Sequence, residues 1–177
     1  GIVMPDADLD QVVTDLVGAA YGSAGERFMA LPVVVPVGDE TAEKLKAKLI
    51  PAIKNIMVSH SEDPNAHYGP VVTAAHKERV ESYIDLAIEE GAELVYDGRT
   101  SQIPSDSHGY FIGPTFFDHV TKNMRSYQEE IFGPVIAVQT FKTEEEAIEI
   151  ANNTSFGLGA GVWSRDANVA FRVRSEE

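Results

Sequence analysis

Apolar residues recur along this chain with two different periods, and the alternation between the periods lays out its elements. Residues 2–4 are apolar, and Pro5-Asp6-Ala7-Asp8 reads as a turn with an acidic helix start, since carboxylates cap free N–H groups and suit the positive end of a helix dipole. Leu9, Val12, Val13, Leu16 and Val17 then fall at the 3.6-residue period and predict a helix. Gly18, Ala19, Ala20, Gly22, Ser23, Ala24 and Gly25 follow as a run of small residues, which fits tight helix packing as well as close approach to a ligand. Residues 30–37 are β-branched and almost wholly apolar, as in a strand buried on both faces of a parallel sheet, although Pro32 and Pro36 cannot donate to a ladder.

The same alternation continues. Gly38-Asp39-Glu40 opens a helix to about residue 50, with Leu45, Leu49 and Ile53 on one side and Lys44, Lys46 and Lys48 mostly on the other. Residues 59–70 are polar and turn-rich and predict a surface loop. Thr73 caps a helix reaching about residue 90, with Val80, Tyr83, Ile84, Ala87 and Ile88 as its buried stripe and Gly91 as its stop. Residues 93–96 read as a short strand, Asp97-Gly98 as a turn, and 99–109 as an exposed loop. A strand over 110–120, interrupted by Gly113-Pro114, leads through a polar connection at 121–129 to a strand over 135–141. Thr143 caps a helix over 144–152 that buries Ala147, Ile148 and Ala151; residues 156–163 form a glycine-bearing strand, and Asp166 starts the last helix. Strands and helices alternating at these lengths predict an α/β fold: a largely parallel twisted sheet with flanking helices and right-handed crossovers, as one domain over residues 1–177.

Composition narrows the function. Fourteen Lys and Arg against 28 Asp and Glu give a net charge of −14, which opposes binding to nucleic acid and to anionic membrane surfaces. The absence of cysteine excludes disulfides, Cys-based zinc sites and thiol catalysis by this chain. No apolar run has the length of a membrane span and the first residues lack the pattern of a signal peptide, so a cytoplasmic location is expected. The chain opens without an initiator methionine and closes within a helical pattern, the expectation for a piece of a longer protein. His60, His67, His76, His108 and His119 show no metal-ligand spacing and read as loop or surface residues; no metal is expected. The acidic group Asp6, Asp8 and Asp10 lacks the glycine and distal glutamate of a calcium loop and reads as helix capping.

Four landmarks in order carry a resemblance: Gly25-Glu26-Arg27-Phe28, Tyr68-Gly69-Pro70-Val71-Val72, Glu130-Ile131-Phe132-Gly133-Pro134, and Phe156-Gly157-Leu158. Together they resemble the catalytic domain of the NAD-dependent aldehyde dehydrogenases. Residues 156–163 are more similar to hydrolytic members such as betaine-aldehyde or succinate-semialdehyde dehydrogenases, whereas residues 3–10 and 21–27 are most similar to the CoA-acylating methylmalonate- or malonate-semialdehyde branch. The resemblance implies oxidation of a small aldehyde, a carboxylated semialdehyde in this branch, through a thioacyl enzyme, with NAD as hydride acceptor and water or CoA as acyl acceptor. It also implies a homo-oligomer for the complete enzyme, and a dinucleotide-binding domain preceding the region present here, so that NAD binding by this chain alone should be weak or nil.

Carried over by position, Phe28 stands where the family has its catalytic cysteine; a benzyl group has no lone pair, so only the backbone N–H of residue 28 remains useful, as an oxyanion donor. Arg27 is the candidate clamp for a substrate carboxylate, with a structural ion pair as the plainer alternative. Glu130 would accept hydrogen bonds from the nicotinamide ribose and Phe132 would pack beside the cofactor; without the resemblance they are a loop carboxylate and a core aromatic. The expected outcome is an enzyme by family that is inactive as written. A non-catalytic binding or assembly module that keeps the fold is the alternative.

Overall fold

A computed structural model of the chain describes residues 1–103 and 108–175; part of the predicted 99–109 loop and the final two residues lie outside the described set. The strands are β1 (Ile2–Val3), β2 (Val33–Pro36), β3 (Glu93–Tyr96), β4 (Thr115–Asp118), β5 (Val135–Val138) and β6 (Val162–Trp163). The helices are α1 (Leu9–Leu16), α2 (Asp39–Lys54), α3 (Ala74–Glu89), α4 (Arg125–Gln128), α5 (Glu144–Asn152) and α6 (Ala167–Ser175). The sheet runs β3-β4-β5-β2-β1-β6, every neighbouring pair parallel except the antiparallel edge pair β3–β4. The expected α/β class with a largely parallel sheet is the one observed.

Side chains alternate across this sheet as a strand's period of two requires. Val3 and Val34 face a core shared with α1, α2 and α3 through Val12, Leu16, Leu45, Leu49 and Ile84. Ile2 and Val35 face a second, smaller core closed by Ala147 and Ile150 of α5 and Val173 of α6. Both faces of the central strands are therefore covered, and each fully buried aliphatic side chain contributes about 1.5–3 kcal/mol.

Several boundaries differ from expectation. β2 is four residues rather than eight: the chain turns at residues 28–29, and Val37 makes only an isolated bridge to Phe141. Pro36 is tolerated because Val35 and Val37 donate toward β1, so residue 36 points its missing N–H the other way, past the end of β5. α2 continues through Pro51 to Lys54, anchored by the fully buried Ile53. Ile88 is 42% exposed, outside the buried stripe of α3, while Val80, Tyr83, Ile84 and Ala87 are buried as predicted. On α5 the buried pair is Ala147 and Ile150, with Ile148 and Ala151 only half-buried. The connection at 121–129 holds the short helix α4. The 59–70 loop is not wholly superficial, because Ser59 and Tyr68 are buried and Val58 bridges Tyr68.

The strands at 110–120 and 135–141 shrink to β4 and β5, and of the glycine-bearing strand only Val162–Trp163 pairs. Residues 152–160 are exposed throughout. An apolar run marks where burial is available; a strand exists only where a neighbour offers its ladder.

Candidate active site

Helix α1 does not end cleanly. It passes into a π-helical turn (Val17–Tyr21) and then a tight turn (Gly22–Gly25) in which Ser23, Ala24 and Gly25 have φ of 54°, 56° and 70°. Left-handed backbone costs a non-glycine residue about 1–2 kcal/mol, so the surroundings must impose this shape. Tyr21 does so from one side: its buried hydroxyl donates to the Thr115 carbonyl at 2.9 Å. Gly25 does so from the other, since a Cβ there would lie 2.1 Å from the Gly133 carbonyl oxygen. The first landmark and the third are thus in backbone contact, and only glycine fits between them.

Beyond this turn the chain emerges. Phe28 is 72% exposed and Met29 63% exposed. Arg27 is also exposed, folded back so that its Nε donates to Ser23 Oγ at 3.2 Å and its Nη1 to the Gly18 carbonyl at 3.5 Å. Gly22 leaves room for the guanidinium, which a Cβ would meet at 2.8 Å. Ser23 therefore sits beneath Arg27 in a left-handed turn, and the hydroxyl serves the arginine. On a continuous helix Ser23 and residue 28 would face apart; the observed turn replaces that geometry.

The segment Glu130–Pro134 is held by one face of α3. Arg79 donates Nη2 to the Glu130 carbonyl at 2.8 Å and Nη1 to the Ile131 carbonyl at 2.7 Å. His76 Nε2 lies 2.6 Å from the Phe132 carbonyl oxygen. One turn further on, the Tyr83 hydroxyl donates to Glu129, and Glu90 accepts from the backbone N–H groups of Arg125 and Ser126, capping α4. Arg125, donating Nε to Glu129 at 2.7 Å, holds that carboxyl below the usual glutamate range, and the Tyr83 hydrogen bond adds to the effect. Phe132 is half-buried with φ of 59°, another strained residue held by its surroundings, while the Glu130 side chain is exposed. Its backbone is turned into the protein and its carboxylate is free to meet a ligand from outside.

The second landmark joins the site through Glu26: its Oε1 accepts from the Val72 N–H at 3.4 Å and lies 3.4 Å from His76 Nε2. Phe156, Gly157 and Leu158 stand in the exposed 152–160 run, and a Cβ on Gly157 would meet nothing within 4 Å. The structure thus brings Glu26, Arg27, Phe28, Glu130 and Phe132 to one region and leaves the fourth landmark in solvent. His76 and Arg79 were not expected there. The signal was their spacing of three on a helix, which places two donors on one face; their loop partners lie some 50 residues away and leave no local trace.

Among the described residues one group has metal-ligating atoms within 4.8 Å of one another, Glu93, Asp118 and His119. Adjacency of residues 118 and 119 and the β3–β4 pairing create it, which no spacing rule shows. A cation is already there. Lys46 Nζ sits 2.6 Å from Asp118 Oδ2, and although burial works against its charge, Asp118 and Glu43 outweigh that and lift its pKa above the usual lysine value.

A largely parallel α/β sheet with helices on both faces carries a strained small-residue turn at the end of α1, and a glutamate-bearing loop packs against that turn. The chain belongs to the aldehyde dehydrogenase family, whose pattern matches residues 1–176. It is 46% identical over 169 residues to the malonate-semialdehyde dehydrogenase of Pseudomonas aeruginosa, covering 96% of this chain and 34% of that protein. The crystal structure of methylmalonate-semialdehyde dehydrogenase from Oceanimonas doudoroffii superimposes with a TM-score of 0.95 at 44% identity, over 98% of this chain and 36% of that one. Betaine aldehyde dehydrogenase from Staphylococcus aureus, solved in complex with NAD+, gives 0.94 at 33% identity, over 99% of this chain and 35% of that one. The chain therefore spans about a third of the length of these relatives.

Proposed function

We propose that this chain is the catalytic-domain part of a polypeptide whose family function is NAD-dependent oxidation of a small carboxylated semialdehyde, and that Phe28 leaves it without turnover. The observation that carries the reading is the contact of Gly25 with Gly133, which sets the Arg27-Phe28 stretch beside the Glu130–Phe132 stretch. In that arrangement the exposed Arg27 is the clamp for the substrate carboxylate, already braced by Ser23 and Gly18. The N–H of residue 28 is one oxyanion donor. Glu130 and Phe132 fit a dinucleotide's ribose and ring: one offers an exposed carboxylate to hydroxyls, the other a half-buried aromatic on a fixed backbone. NAD, when bound, supplies the hydride acceptor.

What the chain lacks is the nucleophile. A thiolate would add to the aldehyde carbon to give a thiohemiacetal, which would become a thioester only on losing its hydride to the acceptor, and the acyl group would then pass to water or to CoA; a phenyl ring cannot begin this sequence. The likeness to malonate- and methylmalonate-semialdehyde dehydrogenases supports a small carboxylated semialdehyde as substrate, and CoA as acceptor belongs to the same proposal. Keeping the fold without catalysis, as a binding or assembly module, is the second reading, and Phe28 itself favours it.

The test joins residues 1–177 to the remaining length of a malonate-semialdehyde dehydrogenase and follows NADH absorbance with malonate or methylmalonate semialdehyde, with and without CoA. Turnover should be undetectable with Phe28 and should rise by about 10³-fold or more in Phe28→Cys, the scale on which removing a nucleophile acts. Equal, easily measured rates from both forms would show that residue 28 is not at the nucleophile position.

A further inference from the structure

We propose that His76 is a positioning residue that locks the turn preceding Phe28 to the Glu130–Pro134 segment, so that the two halves of the site hold one register. What the lock serves rests on the function proposed above; that it exists rests on geometry alone. A single ring nitrogen, Nε2, faces two acceptors from two distant segments: the Phe132 carbonyl oxygen at 2.6 Å and Glu26 Oε1 at 3.4 Å. Both are oxygens with lone pairs, so Nε2 carries the proton. An Nδ1-protonated ring would turn a lone pair on a carbonyl oxygen at hydrogen-bond distance. The assignment holds for neutral and protonated imidazole alike.

Arg79 makes the complementary half of the case. It binds the carbonyls of residues 130 and 131 from one turn along the same helix, and among the described residues it makes no hydrogen bond to residues 23–28. Arg79 therefore fixes one segment and His76 fixes that segment to the other. The ring is only 19% exposed, so water competes poorly for the Nε2 contacts. Glu26 reaches His76 and the Val72 N–H with the same oxygen, which ties the approach to α3 into the lock.

The experiment is residue-resolved amide exchange and imidazole nitrogen NMR on the chain and three variants. The reporters are the Ala30 N–H, bonded to Arg27; the Val135 N–H, bonded to Gly133; and, as a remote control, the Ala42 N–H, bonded to Gly38. Loss of a hydrogen bond of this kind corresponds to about tenfold faster local opening. His76→Ala should speed Ala30 and Val135 together by about that factor and leave Ala42 unchanged, whereas Arg79→Ala should speed Val135 alone. His76→Gln, whose amide can donate from near the Nε2 position, should restore protection of both. The nitrogen spectrum should show the proton on Nε2. The proposal is overturned by an Nδ1-protonated ring, by His76→Ala loosening only one reporter, by equal loosening of Ala42, or by His76→Gln behaving as His76→Ala. Should His76→Ala not fold, the tautomer and the glutamine variant still decide. None of these readouts needs turnover, so an inactive joined enzyme would count against the proposed function and leave the lock standing.

Discussion

At Gly25 the sequence carries the greatest structural demand in the site. A methyl group there would meet the Gly133 carbonyl carbon at 2.4 Å and its oxygen at 2.1 Å, and alanine would also have to adopt φ of 70°. Backbone cannot give way as a flexible side chain can, so Gly25→Ala should cost about 2–4 kcal/mol, with the midpoint of urea unfolding reporting the loss. A cost below about 1 kcal/mol would show that the two segments do not touch. The sequence marked Gly25 as one of a run of small residues, for which helix packing and ligand approach were both open, and as the first residue of a landmark, without showing what it touches. Backbone-on-backbone contact with a segment 108 positions later has no local signature. Nor did Ser23 and Ala24 signal left-handed conformations, since neither residue type favours them. Glu130 and Phe132 could be singled out from their motif; for His76 and Arg79, which hold them, the spacing of three gave a shared helix face but not what that face binds.

Between elements, a single arginine joins two. Arg99 forks onto Asp97, donating Nε to Oδ1 at 2.9 Å and Nη2 to Oδ2 at 2.9 Å, and gives Nη1 to Asp85 of α3 at 2.5 Å. It thereby ties the turn after β3 to the helix that racks the Glu130 loop. The Arg99 guanidinium beside Asp97 holds that carboxyl below the ordinary aspartate range, with burial partly opposing it. A depressed carboxylate pKa stabilises the fold above the unfolded value, near pH 4, and that contribution disappears as pH falls through the folded value. Asp97→Asn should therefore lower stability by about 1 kcal/mol at pH 7, and the difference from the parent chain should begin to narrow as pH falls below about 4 in acid titrations followed by circular dichroism. A gap that stays constant as pH falls further below about 4 would mean the charge is not what matters. Elements with caps were readable: α3 behind Thr73 and α5 behind Thr143, whose hydroxyl and Glu146 form a reciprocal box. Strand lengths were not, because apolar runs such as residues 30–37 outlast the neighbour that could pair with them.

For the whole molecule, the exposed surface is unusually apolar in two places. Phe28 and Met29 are 72% and 63% exposed, and Val72, whose N–H donates to Glu26, is 77% exposed; the 152–160 run presents Phe156 and Leu158 at 57% and 59%. Isolated apolar residues on a surface need no explanation, but aromatic and aliphatic groups this exposed favour contact with another surface. The net charge of −14 opposes such contact between copies through long-range repulsion. Salt screens the repulsion over a Debye length of about 8 Å at physiological strength, so self-association should strengthen as salt is added. Sedimentation showing mass that rises with both protein and salt concentration is the expected result; a monomer unchanged at high salt would refute it. The sheet carries a different consequence, concerning synthesis. Its strand β1 lies between β2 and β6, with Ile2 registered to Val35 on one side and to Val162 on the other. A ribosome delivers the second partner nearly at the end of translating this region. Until then the strand made first has an unpaired flank, and closing so long a loop is entropically slow. While this region emerges, β1 thus keeps a flank that β6 has yet to fill, the interval in which a chaperone would have something to bind.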